Sequence, residues 1–123
     1  MIALDTSAVI AYLSGDDGPV ARRAGAAFAA QQACLPPVVL AELLSDPVLP
    51  QAVAALLKEL PRLELSDGYW ERTGALRAKV LARGQRARLA DSLIAQSCLD
   101  HNVALVTADR AFRNFVRHGL SLA

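Results

Sequence analysis

Apolar residues in this chain gather in brief runs, separated by polar turns and by stretches with helical periodicity. The runs at 1–4, 33–35, 63–65 and 103–106, and a last short one near 120–122, have strand length. The clearest is Val103-Ala104-Leu105-Val106, bounded by His101-Asn102 and Thr107. Between them the spacing predicts helices. Asp5-Thr6-Ser7 are good N-caps for a buried helix over 8–13, and Pro19, after the turn at 15–19, suits the start of a helix to about 32. Pro36-Pro37 ends the second strand, and a helix over 38–44 follows. Asp46-Pro47 breaks that helix, and another covers about 49–60. Ser66-Asp67 cap a long amphipathic helix over 68–83, which Gly84 ends. Helices over 89–100 and 109–116 complete the pattern.

Strands alternating with helices at these lengths predict an α/β fold, a three-layer sandwich with a short-stranded central parallel sheet flanked by helices. The length of 123 residues fits one domain over 1–123. With 54% hydrophobic and 20% charged residues, the chain has material for a core and is not expected to be disordered. No apolar run approaches the ~20 residues that span a bilayer, and Asp5 interrupts any leader-like start, so a soluble, cytoplasmic protein is expected. Cys34 and Cys98 lack metal-ligand spacing and read as reduced core residues.

Four acids break into the apolar segments: Asp5, Glu42, Asp91 and Asp109. Burying an unpaired carboxylate is costly, so such placement asks for a partner. Asp5 and Asp109 follow strands, on the edge of a parallel sheet where ligands bind. Asp91 shares a helical stripe with Ile94, Ala95 and Cys98 and is aimed inward. Glu42 is the only charged residue between Arg23 and Asp46, and a helix places it among valines and leucines. Taken singly, Asp5 and Asp109 are equally well explained as helix N-caps, Asp91 as a first-turn acid complementing the helix dipole, and Glu42 as a solvated residue. Taken together, gathered carboxylates repel until a hard cation arrives, which points to magnesium or manganese, one or two ions, and to phosphoryl-transfer chemistry.

The net charge of +1 hides an asymmetry. Residues 72–90 contain six basic side chains and no acid, and the stretch runs straight into Asp91. Arg83, Arg86 and Arg88 are candidates to hold an RNA backbone beside the metal, whereas Arg77 and Lys79 read equally well as a solvated face. Trp70 and Phe112 read as core or interface residues rather than base stackers. The chain has no Cys/His cluster for zinc and no glycine-rich nucleotide cradle.

The segments Leu4-Asp5-Thr6-Ser7-Ala8-Val9-Ile10, Val39-Leu40-Ala41-Glu42-Leu43, Ala90-Asp91-Ser92-Leu93-Ile94-Ala95 and Leu105-Val106-Thr107-Ala108-Asp109-Arg110 resemble, in order and spacing, the PIN-domain ribonucleases. More narrowly, they resemble the VapC-type toxins of bacterial toxin–antitoxin pairs. The resemblance implies a magnesium- or manganese-dependent endoribonuclease with Asp5, Glu42, Asp91 and Asp109 as catalytic, metal-holding acids and Ser7 and Thr107 in support. It also implies a VapB-like antitoxin, homodimerisation with a possible higher toxin–antitoxin assembly, and cleavage of a structured RNA such as transfer RNA. Many members carry a further acid two residues after the fourth, where this chain has Ala111. The competing readings are a non-catalytic PIN-like module that binds RNA or protein, and a receiver-type phospho-acceptor. The latter wants paired acids after the first strand and a late lysine, and no lysine lies beyond Lys79.

Overall fold

A computed structural model describes residues 1–123. Its centre is a parallel sheet of three short strands, β1 (Ile2–Leu4), β2 (Ala33–Cys34) and β3 (Ala104–Val106), in the order β2-β1-β3. The register pairs Ile2 with Ala33 on one side and with Ala104 on the other. Both faces of a parallel sheet must be covered, and this one is nearly continuous in buried residues: Ala3, Leu4, Cys34, Leu105 and Val106 all lie in the core.

The covering helices are α1 (Thr6–Leu13), α2 (Pro19–Ala29), α3 (Pro37–Leu44), α4 (Gln51–Glu59), α5 (Tyr69–Ala82) and α6 (Leu89–His101). Proline opens α2 and α3 at the first turn, where its missing N–H costs nothing. Asn102 ends α6 in the left-handed region at φ 52°, which swings the chain directly into β3. So α6 runs back along the sheet, and its first turn lies at the edge where β1 and β3 end. No helix is long and apolar enough to cross a membrane.

Three expectations need correction. The expected strands at 63–65 and 120–122 shrink to single bridges, Leu35 with Arg62 and Leu105 with Leu122. Leu63 still donates to Leu35, but Glu64 and Leu65 are exposed, and the Glu64 carbonyl is met by the His101 ring instead of a strand. The last helix, Arg110–His118, is 3-10 rather than α. Its two buried aromatic rings, Phe112 and Phe115, are three residues apart, and a 3-10 helix stacks i and i+3 on one face. Of the two aromatic residues read as core or interface, Phe112 is buried and Trp70 is 64% exposed, outside the core.

The core joins Leu4, Leu35, Ile94, Leu105, Phe112 and Phe115 with their neighbours in one cluster. Cys34 and Cys98 are buried free thiols within it. Burial pushes the Cys98 thiol up to about 12 and raises that of Cys34, so neither is a thiolate at neutral pH.

Candidate active site

Asp5 is the hub of the carboxyl edge. It is almost fully buried, and it caps α1 by accepting the Ala8 N–H at Oδ1 (2.8 Å). The Ser7 hydroxyl donates to the same oxygen at 2.7 Å, and the Thr107 hydroxyl donates to Oδ2 at 2.5 Å. Each hydroxyl also accepts from the backbone beyond β3: Ser7 from Ala108 N–H and Thr107 from Asp109 N–H, both at 2.9 Å. The network therefore ties the end of β1 to the end of β3 through one carboxylate. Both hydroxyl protons are committed to Asp5, so the 3.4 Å approach of Ser7 Oγ to Thr107 Oγ1 is a contact without a proton to share. Burial raises the Asp5 carboxyl above its ordinary range; the three donors oppose that, and the charge of Asp109 adds to it.

Asp109 is half-buried and caps the 3-10 helix, with Oδ1 accepting Ala111 N–H at 2.9 Å. That leaves its other oxygen uncommitted. Asp91, in the first turn of α6, is also half-buried. Its carboxyl is pushed up to about 6, first by burial and then by Asp109, with Glu42 and Asp5 contributing and Arg88 opposing. No hydrogen bond enters that balance. The charges of the other three acids, each from a different part of the fold, thus all bear on Asp91.

Glu42 differs from its expected setting. On α3 the helix turns Val39, Leu40 and Leu43 into the core and leaves Glu42 exposed. What holds it is Thr6, whose hydroxyl donates to Glu42 Oε1 at 2.7 Å. Sequence reasoning missed Thr6, because nothing along the chain links position 6 to position 42. Arg83, Arg86 and Arg88 are all exposed. Only Arg88, at the start of α6, acts on the acids, by lowering the Asp91 carboxyl. The loop carrying Arg86 is held rather than loose: Arg77 Nε donates to the Ala87 carbonyl at 2.8 Å, and Asn114 Nδ2 donates to the Arg86 carbonyl at 3.0 Å.

The donor set is oxygen only, which suits a hard cation. No three of the His, Cys, Asp and Glu side chains are close enough to cage an ion as they stand. An open set is still compatible with magnesium, which keeps several waters and takes only one or two carboxylates from a protein.

Against known proteins, the family model described as "PIN domain" matches residues 2–117. No curated protein matches the chain significantly. Among solved structures, the chain is similar to one in VapBC2 from Rickettsia felis bound to a DNA fragment of its promoter, at TM-score 0.73 and 22% identity, covering 100% of this chain and 98% of that one. It is similar to a chain of VapBC-5 from Mycobacterium tuberculosis, described as a member of the VapBC family of toxin–antitoxin systems, at TM-score 0.65 and 20% identity, covering 99% and 94%. FitAcB from Neisseria gonorrhoeae contains a third such chain, at TM-score 0.68 and 18% identity, covering 99% and 96%. At these identities the likeness is one of fold.

Proposed function

The chain belongs to the PIN-domain family, and on that premise we propose that it is a metal-dependent endoribonuclease, the toxin of a type II toxin–antitoxin pair that cuts structured RNA such as transfer RNA. What carries the reading is the place of Asp91, which the fold sets half-buried and within reach of the charges of Asp109, Glu42 and Asp5, so that its carboxyl is raised. Asp5, Glu42, Asp91 and Asp109 would hold one or two magnesium or manganese ions. When bound, such an ion lowers the pKa of water and neutralises charge on the phosphoryl transition state.

The protein's own share is positioning. Ser7, Thr107 and the Ala8 N–H fix both oxygens of Asp5, which leaves one acceptor site, on Oδ2, in a fixed direction. Thr6 does the same for the exposed Glu42, which would otherwise sample many rotamers. Asp91 has no such anchor and sits where charge is most crowded. Arg88 beside it is placed to meet a phosphate oxygen of the substrate.

A protein antitoxin is the proposed partner, and a homodimer the proposed working state. Of the similar solved structures, VapBC-5 is described as a member of the VapBC family of toxin–antitoxin systems, and VapBC2 shares the VapBC name. This chain offers apolar surface for a partner: a cleft of about 380 Å³ between α1, α2 and α4, lined by Tyr12, Leu13, Phe28, Val53, Leu56 and Leu60. Ile10 and Leu13 stand exposed next to it and lead along α1 towards Thr6 and Glu42. The alternative, a PIN-like module that binds without cutting, is favoured by the open spacing of the carboxylates. The two are separated by Asp5→Asn. The nuclease reading expects RNA cleavage and growth arrest to disappear in this variant while antitoxin binding is kept. Cleavage by highly purified Asp5→Asn at the wild-type rate would remove Asp5 from the chemistry.

A further inference from the structure

A cavity of about 660 Å³ lies away from the acidic cluster, between α5, α6 and the end of the 3-10 helix. Its wall includes Arg72, Lys79, Asp100, Arg117 and His118. Asp100 and Gly119 place it at the opposite edge of the sheet, since α6 ends where β3 begins and the chain passes Gly119 on its way to the bridge at Leu122.

The charge of this cavity is unbalanced. Asp100 is the only acid in its wall, and Arg72 already covers both of its oxygens, through Nε at 3.0 Å and Nη2 at 2.7 Å. That is the single salt bridge of the chain, so Lys79 and Arg117 have no acidic partner. His118 adds a ring nitrogen, Nε2, that is shielded from solvent and has no hydrogen-bond partner in the protein.

The cavity also has a connection. Along α5 and its C-cap, Arg72, Lys79 and Arg83 fall within about 40° of one another at helical spacing, a cationic stripe ~16 Å long beside the buried Leu76. Its far end, Arg83, runs into the loop of Arg86 and Arg88 that leads to Asp91. Opposite, the 3-10 helix starts at Asp109 and carries Ala111, Asn114 and Arg117 on one face, three residues apart. Asn114 reaches the Arg86 carbonyl and Arg117 reaches the cavity, so this face lies along the stripe. Basic side chains therefore follow one another from the loop before Asp91 to the cavity.

Resting on the RNA-directed reading above, we propose that the cavity is a second docking site for the phosphate backbone of the RNA, held by Lys79 and Arg117 at a distance from the cleaved bond. A lone inorganic anion would need only the cavity, whereas the stripe leading to it suits a ligand with a phosphate at every step.

The test is binding of a fluorescein-labelled RNA hairpin with a single-stranded tail, in EDTA so that no cleavage occurs, across a salt series. Lys79→Glu with Arg117→Glu is expected to weaken binding about tenfold or more at low salt, and the uncharged pair Lys79→Gln with Arg117→Gln to lower the salt slope by roughly 0.7 per lost phosphate. Arg22→Glu with Arg23→Glu on α2 serves as the remote control and is expected to change affinity less than about threefold. All four target and control residues are exposed, and thermal melting checks that each variant is folded. Equal RNA affinity in wild type and both cavity variants overturns the proposal, as does inorganic phosphate binding tightly at Lys79 and Arg117 without competing with the RNA. Binding that depends on the cavity in a protein that never cuts RNA would remove the nuclease reading and leave the docking site standing.

Discussion

Asp91 occupies the first turn of α6 with burial and three carboxylates pushing its pKa up to about 6, and only Arg88 pulling it down. A carboxyl raised in the folded state is favoured when protonated, so its contribution to stability is present below the unfolded value near 3.8 and is lost as pH rises through about 6. Metal-free protein is therefore expected to melt higher at pH 5 than at pH 7.5 as far as this group decides. Asp91→Asn should stabilise the metal-free protein at pH 7.5 by about 1–2 kcal/mol, discounted because the side chain is partly solvated, and should do nothing at pH 4. A pair of melting curves checks this; a lower melting temperature for Asp91→Asn at pH 7.5 would mean that the repulsion is not there. Thr107 gives the opposite case. Thr107→Val removes the donor to Asp5 and the acceptor for Asp109 N–H at once, leaving a buried carboxylate oxygen bare. The expected loss is about 1–3 kcal/mol in denaturant titration, together with lower nuclease activity. At this scale much of the candidate site was legible. Asp5, Asp91 and Asp109 stand out because charge interrupts apolar runs, and Ser7 and Thr107 through the family resemblance. Thr6 was not, since its partner Glu42 lies 36 residues away on another helix.

At the scale of elements, helices and the three central strands could be read from periodicity and capping, because each signal is local. The failures are also physical. The segments at 63–65 and 120–122 are apolar enough for strands, but each sits at a sheet edge and pairs at one residue only. Whether an edge segment continues pairing depends on the neighbour it meets, which local pattern does not contain. The 3-10 form of Arg110–His118 keeps Phe112 and Phe115 on one buried face, a spacing that a short helical window does not distinguish from an α-helix. This helix positions Asp109, so its packing bears on the site. Phe112→Ala should cost about 3–5 kcal/mol, read from a urea titration, and loosen the Asp109 cap with it. A loss under about 1 kcal/mol would show that the core tolerates its absence and that the helix is held from elsewhere.

The whole molecule does one thing that no single element does. It brings the ends of β1 and β3, the start of α6 and the outer face of α3 to one edge, so that three acids distant in sequence bear on the carboxyl of a fourth, Asp91. It also spreads the basic residues of α5 and the 3-10 helix away from that edge, toward a cavity at the opposite side. If the acidic edge holds a divalent cation, calorimetric titration of manganese into wild type and Asp91→Asn shows it without requiring the right RNA. Saturable binding to the wild type is expected at neutral pH, weakening below about pH 6, where Asp91 takes up a proton, and lost in Asp91→Asn. Folded wild-type protein that takes up no manganese at millimolar concentration, or Asp91→Asn that binds it as tightly as wild type, would contradict a metal-holding role for this edge.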